Sequence, residues 1–383
     1  MIVCIHGIDF NNAGACMMLR ATVEFFADSF PEATLCVPFT DGTPHTRKDF
    51  GVGASLITTR LLVGPLPLGG LNASRVARFA PSGWLGRHGL VRAKAVDLHI
   101  DASGFAYGDS WGARRPRRMH ALAQQWRQWK QPLIMLPQAF GPFVDPGVAR
   151  ACADYLTEAR LIFARDQASA AHLSKLGIPS NRTHLSPDFT LRAEPSRWTA
   201  TSNRVAIVPN QRILDRGGGD RNYLHIMQAC MRQILAAGLQ AEIVTHERND
   251  GALAARLEDG MTRRVLDIDD ARTGHDFSGY RLVIASRYHA LAAAMGQGVP
   301  SVAIGWSHKY AGLMKDFGVG ELYADHRDPA AIAASINSAL KNVVGIHERL
   351  LLARSALTGA NRSMWDVVRR TIEDTQRSAP LRG

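Results

Sequence analysis

Arg287 and His289, two residues apart at the end of an apolar run, are the pair in this sequence best suited to chemistry on an anion. Arginine offers a planar fork for carboxylate or phosphate, and histidine donates and accepts a proton near neutral pH. Leu282–Ala285 before them reads as a buried strand, and Ala290–Met295 after them as a small-residue helix. The turn Gly298-Val299-Pro300 leads into a second apolar run, Ser301–Ile304, which ends in the polar stretch Gly305–Lys309. This is a β-α-β unit with Arg287, His289 and Lys309 at strand C-terminal ends, the edge where open α/β sheets bind ligands. Asn210 and Arg212 follow another strand, Val205–Val208, and a folded sheet would bring them to the same edge. The set implies an anionic ligand and one proton transfer. The alternative is a salt-bridged surface cluster with no ligand.

The rest of the chain must place that unit. Met1–Ile5 reads as a first strand, Cys16–Phe26 as the helix after it, and Leu35–Phe39 as a short strand. The intervening loop, with Asn12 and Gly14, directs backbone N–H groups at a helix start, but lacks dinucleotide or P-loop glycine spacing. Asp41–Phe50 is polar and reads as loop. Gly51–Leu90, rich in Gly, Pro and Arg without clean periodicity, reads as mobile helices or loops. Strands at Ala95–Ile100, Pro132–Leu136 and Leu161–Ala164 alternate with helices at Met119–Trp129 and Pro146–Glu158, a rhythm that implies a parallel sheet. Asp166 either pairs with Arg165 or caps the helix that follows. A polar stretch ends this half. Beyond it lie the Val205–Val208 strand, a loop at Gly217–Asp220, a helix at Tyr223–Ala237, and strands at Ala241–Thr245 and Arg264–Ile268.

The domains expected are therefore an α/β domain over 1–191, a linker over 192–203, and a second α/β domain over 204–345. A helical extension with a frayed tail, Arg377–Gly383, completes the chain over 346–383. The fold class is α/β, with two Rossmann-like domains facing across a cleft. At 383 residues the chain is long enough for two substantial cores.

Five scattered cysteines with no Cys-x-x-Cys suit a reducing compartment. No long apolar stretch or basic-then-apolar leader is present, so a cytoplasmic protein is expected. The net charge of +11 suits nucleic acid, anionic lipid or phosphorylated small substrates. Its densest stretch is Arg114–Arg118, with Trp111, Trp126 and Trp129 nearby. That segment reads either as a solvated helix start or as a peripheral contact with the inner membrane face. Basic residues are not interleaved with aromatics as on a nucleic-acid stacking surface, so no nucleic-acid partner is expected. No zinc spacing occurs, and His246-Glu247 with Asp250 is a weak pattern for a cation, so no metal is assigned. No Gly-x-Ser-x-Gly elbow supports a serine hydrolase. Asp101, at a strand end, either caps its own turn or acts as a catalytic carboxylate, and Gln138 offers an amide for a hydroxyl.

Several stretches stand out as an ordered set. They are Ile100–Gly112 (IDASGFAYGDSWG), Leu136–Phe143 (LPQAFGPF), Phe163–Ser169 (FARDQAS) and Leu185–Phe189 (LSPDF). They continue in order with Val208–Arg212 (VPNQR), His246–Asp250 (HERND), Ser286–Ala290 (SRYHA) and Gly298–Lys309 (GVPSVAIGWSHK). Together these stretches resemble the polysaccharide pyruvyl transferases. The resemblance implies a cytoplasmic enzyme of glycosyltransferase-B-like architecture. Its activity would be transfer of the pyruvyl unit of phosphoenolpyruvate to a pair of sugar hydroxyls, with formation of a ketal and release of phosphate. It implies no nicotinamide, flavin or obligatory metal. The family's Arg-x-His motif falls on Arg287 and His289, and the Arg212 segment resembles a donor-binding position.

On this reading His289 is the acid or proton shuttle. Arg287, Arg212, Lys309 and Asn210 hold the donor, and Asp101 or Asp188 accepts a hydroxyl proton. Asn12, Gln138 and Tyr107 are the residues assigned to a saccharide acceptor, free or lipid-linked. The family often carries Asn-x-Gly-Asp in the first loop, where this chain has Asn12-Ala13-Gly14-Ala15. The missing carboxylate at Ala15 questions any catalytic part for that loop. The rival is a glycosyltransferase with a nucleotide-sugar donor on the same architecture.

Overall fold

In the computed structural model, β9 (Arg204–Val208) and β12 (Leu282–Ala285) lie side by side and parallel. Every residue of β12 is buried, and only the first of β9 is not. Strands packed on both faces must be apolar throughout, which is why these runs show no alternation. β10 (Gln240–Val244) and β11 (Arg263–Arg264) extend the sheet beyond β9. β13 (Ser301–Gly305) and β14 (Tyr323–Asp325) extend it beyond β12. The order β11-β10-β9-β12-β13-β14 reverses direction between β9 and β12. That reversal opens a crevice at the strand C-terminal ends, the usual ligand position in such sheets. The structure describes residues 1–57, 82–191, 197–216, 221–247, 249–257, 263–264 and 276–378.

The other sheet is also parallel among the described residues. It contains β1 (Ile2–His6), β2 (Thr34–Pro38), β3 (Ala54–Ile57) and β4 (Leu90–Arg92). β5 (Leu98–Asp101), β6 (Leu133–Gln138), β7 (Leu161–Ala164) and β8 (Thr183–Leu185) complete it. Their order is β4-β3-β2-β1-β5-β6-β7-β8, with its reversal between β1 and β5. β3 stands in the stretch expected as mobile helices or loops, and β4 begins at its last residue, Leu90. Each is three or four residues long and buried mainly by neighbours distant in sequence, so neither leaves a period to read. Residues 58–81 of that stretch lie outside the described residues.

Helix starts follow local chemistry. Asp145 and Asp328 cap helices Pro146–Leu156 and Pro329–Lys341, accepting from Val148 N and Ala331 N at 2.8 and 2.9 Å. Thr43 caps Pro44–Asp49 in the same manner, so part of the polar stretch expected as loop is helical. In each case proline follows the cap, where its missing N–H costs nothing. Asp166 caps Gln167–Lys175 through Ser169 N at 2.7 Å.

The chain forms two compact units whose boundaries are not sequential. The first holds Met1–Phe10, Met18–Ser186 and the segment from Met364 on; the second holds Asn11–Met17 and Pro187–Ser363. The change of unit after Ser186 precedes the expected linker, of which residues 192–196 lie outside the described residues. The expected Gly217–Asp220 loop and residues 265–268 of the expected Arg264–Ile268 strand also lie outside them. The C-terminal extension is helical as one element, Val343–Ser378, which takes in the first two residues of the expected tail; residues 379–383 of that tail lie outside the described residues. Within the first unit, its Trp365 stacks on Phe25 with ring centroids 4.3 Å apart.

The first sheet carries a buried imidazole pair. His6 Nε2 lies 2.9 Å from His99 Nδ1, and His99 Nε2 lies 3.1 Å from Gln131 Oε1. Gln131 donates onward to the carbonyls of Ala93 and Val96, and Trp126 stacks on both imidazoles. Burial, and secondarily the charge of Arg115, pushes His6 down to about 3. Burial also lowers His99 well below its ordinary value, with His6 adding to the effect. An unfolded histidine takes up its proton near pH 6.5, whereas folded His6 waits until about 3. Unfolding therefore binds protons in that window, and stability must fall as pH drops through it. The loss expected from His6 by the bottom of the window is on the order of 4 kcal/mol. Urea midpoints at pH 7.5, 6 and 5 check this. The midpoint should fall at each step, and the fall should shrink in His6→Gln; a midpoint constant over that range would refute it.

Candidate active site

Asp250 joins three strand ends of the second sheet. It is fully buried and opens helix Asp250–Leu257. Its carboxylate accepts from Gln211 N, after β9, at 3.0 Å and from Glu247 N, after β10, at 3.1 Å. It also accepts from the Arg287 guanidinium, after β12, through Nε at 3.0 Å and through Nη2 in a shorter contact. One carboxylate therefore fixes the loops of three adjacent strands at the crevice.

Glu247 links the two arginines. Its Oε1 lies 2.6 Å from Arg287 Nη1, and its Oε2 lies 3.5 Å from Arg212 Nη2. Arg287 is 4% exposed, so this is an internal ion cluster rather than the surface cluster of the alternative reading. Burial alone would pull the Arg287 pKa down, but Asp250 and Glu247 outweigh it and the value rises. Arg287 is therefore charged at any working pH. The sequence treated His246-Glu247 and Asp250 as a pattern for a cation; the cations on Glu247 and Asp250 are these guanidinium groups.

The turn after β12 is held just as firmly. The Ser286 carbonyl accepts from Asn210 Nδ2 and from Tyr310 Oη, both at 2.8 Å. Asn210 Oδ1 accepts from Arg212 N at 3.0 Å. Asn210, Arg212 and Arg287 are thus brought together as one constellation. Lys309 opens out after β13, with its ammonium 5.4 to 5.5 Å from the ring centres of Tyr288, Trp306 and Tyr310. Its charge is held over aromatic faces.

His289 follows in the first turn of helix Tyr288–Gly296. Its Nε2 lies 3.7 Å from Asp188 Oδ2. Asp188 is itself set by Thr190, whose N and Oγ1 donate at 2.9 and 2.5 Å, while Asn361 Nδ2 donates to its carbonyl. The other side of the ring meets Gly14. A Cβ on that glycine would sit 2.0 Å from His289 Nδ1. Asn12 shapes this loop by accepting from Ala15 N at 3.1 Å, and it forms an isolated antiparallel bridge with Glu247. The missing carboxylate at Ala15 therefore leaves intact a loop that touches both His289 and Glu247.

Asp101, Tyr107 and Gln138 form a separate network inside the first unit. Asp101 is fully buried and accepts from Tyr107 Oη at 2.5 Å, Tyr155 Oη at 2.8 Å and Ser103 N at 3.0 Å. The Ser103 hydroxyl also donates to it, and Arg115 donates to that hydroxyl at 2.7 Å. Burial and then the Asp101 charge raise the Tyr107 pKa, so its phenol remains a donor. Gln138, also fully buried, donates to the Asp101 carbonyl at 3.4 Å. Of the residues assigned to the acceptor, Asn12 stands in the second unit, and Tyr107 and Gln138 stand in the first.

Residues 12–308 match the profile of the polysaccharide pyruvyl transferases. The chain belongs to that family. It is accordingly a transferase with a role in polysaccharide modification. The amylovoran biosynthesis protein AmsJ of Erwinia amylovora is 24% identical over 291 residues, covering 68% of this chain and 69% of that protein. Anabaena Alr3699/HepE, solved with UDP and glucose, superposes with a TM-score of 0.60 at 15% identity, over 96% of this chain and 98% of that one. A putative UDP-N-acetylglucosamine 2-epimerase of Listeria monocytogenes gives 0.56 at 12% identity, over 95% and 96%. A glycosyltransferase of Rickettsia africae gives 0.56 at 9% identity, over 99% of each chain. These likenesses show the fold of the transferase, two Rossmann-like domains of the glycosyltransferase-B type. Among the described residues, no helix is long and apolar enough to cross a membrane.

Sequence reasoning missed Asp250 as the hub and Gly14 as the wall of the histidine. Asp250 was visible at the end of His246–Asp250, but its partners lie on loops far away in sequence. The Gly14 contact left no local signal. Gly14→Ala is expected to displace His289 and lower turnover by about a hundredfold, the typical effect of an ångström-scale misplacement. Steady-state kinetics with a melting curve checks this; full turnover in a folded Gly14→Ala enzyme would remove Gly14 from the account.

Proposed function

We propose that the transferase moves the pyruvyl unit of phosphoenolpyruvate onto two hydroxyls of a saccharide, forming a pyruvate ketal and releasing phosphate. The observation that supports this most is the Arg287-x-His289 motif of a pyruvyl transferase, placed at the strand reversal beside Arg212. The donor carries a carboxylate and a phosphate, and fixed guanidinium groups suit both. His289 protonates the donor methylene carbon, which becomes a methyl group. The neighbouring carbon gains one sugar oxygen, whose proton passes to Asp188 and from there to the imidazole of His289, 3.7 Å away, which restores the acid. A second hydroxyl then attacks the same carbon, the C–O bond to phosphate breaks with the electron pair leaving on phosphate, and the proton of that hydroxyl leaves with it as hydrogen phosphate. Arg287, Arg212 and Lys309 neutralise that leaving group. The buried Asp101 network supports the first unit and takes no proton from the acceptor on this reading.

The test is incubation with phosphoenolpyruvate and an oligosaccharide panel, read by phosphate release and product mass. Product with the added pyruvyl mass and stoichiometric phosphate is expected. Hexose addition from UDP-glucose, with phosphoenolpyruvate untouched, would replace this reading with the glycosyltransferase one.

A further inference from the structure

The first unit has a cavity of about 540 Å³ at the N-terminal ends of β6 and β7, in the size range of small-molecule sites. The strand ends that carry Asp101 and Gln138 are at the opposite edge of that sheet. Its walls include Trp126 and Trp129, and its polar lining includes Lys130, Arg160, Arg182 and Glu158. Trp126 is fixed from behind by its stacking on His6 and His99. Arg182 is steadied by donating to the Thr157 carbonyl at 3.2 Å.

Lys130 makes this lining unusual. Helix Arg114–Gln128 closes with bonds from Lys130 N to the Arg127 carbonyl and from Gln131 N to the Trp126 carbonyl. That closure requires a left-handed residue, normally glycine, at position 130. The chain has lysine there, at a φ of 58°. Glycine would suit the backbone better, so lysine stands at the cavity against local backbone preference.

We propose that this cavity is a second saccharide site, which holds a carboxylated sugar of the polymer that the transferase modifies. The choice of a carboxylated sugar rests on the reading that the product bears pyruvate ketals, each with one carboxylate. The half-buried indole of Trp129 offers a flat face to the C–H face of a pyranose ring, while Trp126, 3% exposed, backs the wall. The arginine forks and Lys130 suit the carboxylate. Glu158, with its side chain 8% exposed and 3.5 Å from Arg127 Nε, accepts from sugar hydroxyls and repels a compact polyanion such as phosphate. A chain of net charge +11 would gather such a polymer and keep successive acceptor units near the enzyme.

Calorimetry without phosphoenolpyruvate tests the site, using a uronic acid hexasaccharide, a neutral glucose hexasaccharide and inorganic phosphate. The uronate should bind at least tenfold tighter than either comparator. Lys130→Gly removes the cation while easing the backbone, so it should weaken uronate binding about tenfold with no loss of melting temperature. Arg160→Ala and Trp129→Ala should weaken it similarly, and all three should keep wild-type turnover of phosphoenolpyruvate on a short acceptor. Unchanged uronate affinity in the variants, no uronate binding, or equally tight phosphate binding would overturn the site. Uronate binding without phosphoenolpyruvate turnover would overturn only the donor reading; turnover without uronate binding would overturn only this inference.

Discussion

His289→Gln is expected to keep most of its affinity for phosphoenolpyruvate and lose turnover by about a hundred- to ten-thousandfold, the usual contribution of a positioned acid. Glutamine retains a polar side chain of similar length but carries no titratable proton. The ring sits between Asp188 at 3.7 Å and the backbone of Gly14, so its position is set from both sides and does not depend on its charge. The first half-reaction gives an independent readout. In heavy water the wild-type product should carry solvent deuterium in its ketal methyl, because a CH2 becomes a CH3. The glutamine variant should be slowed in that incorporation. Asp188→Asn should fall between the two, since the proton donor remains but its carboxylate partner is lost. Near-wild-type turnover of His289→Gln would remove the acid from His289, and a methyl group without solvent hydrogen would remove the addition mechanism itself.

The pairing of Arg287 with His289 was legible because both follow one apolar run within four residues, and a strand end is a local event. Arg212 and Asn210 were legible for the same reason. What surrounds them was not. Asp250 meets Arg287 across 37 positions of sequence, and Gly14 meets His289 across far more. Such contacts depend on which strands become neighbours, here β10, β9 and β12, and no local period encodes that order. Asp101 shows the converse limit of a local reading. A carboxylate at a strand end looks the same in sequence whether it faces a ligand or two tyrosine hydroxyls, and here Tyr107 and Tyr155 enclose it. The division into compact units was hidden for a related reason. Asn11–Met17 and the residues from Met364 on each join the unit that the bulk of their sequence neighbours does not, so no single linker divides the chain. The helix at Pro44 was readable after all, since Thr43 followed by proline is a start signal that the polarity of the stretch concealed.

Arg287→Ala is expected to cost both fold stability and donor use, and the two losses separate in Arg287→Lys. Removing the guanidinium leaves Asp250 buried without its counter-charge and Glu247 with only Arg212, 3.5 Å away. Breaking a buried pair in this way costs about 3–5 kcal/mol. The alanine variant should therefore melt well below wild type, by on the order of 10 °C. Its low activity would then be ambiguous. Lysine restores one positive charge at the same place, so most of the stability should return. It does not restore the planar fork, which Asp250 holds through Nε and Nη2 and which leaves Nη1 to Glu247 at 2.6 Å. A single ammonium cannot meet both carboxylates and a donor anion in that geometry. The KM for phosphoenolpyruvate should consequently rise at least tenfold in Arg287→Lys while the enzyme stays folded at the assay temperature. Asp250→Asn provides the matching control: the guanidinium keeps its charge and loses its orientation, so KM should rise there too. A lysine enzyme with wild-type KM and a lowered melting temperature would make Arg287 a purely structural cation, and the donor would have to be held by Arg212 and Lys309 instead.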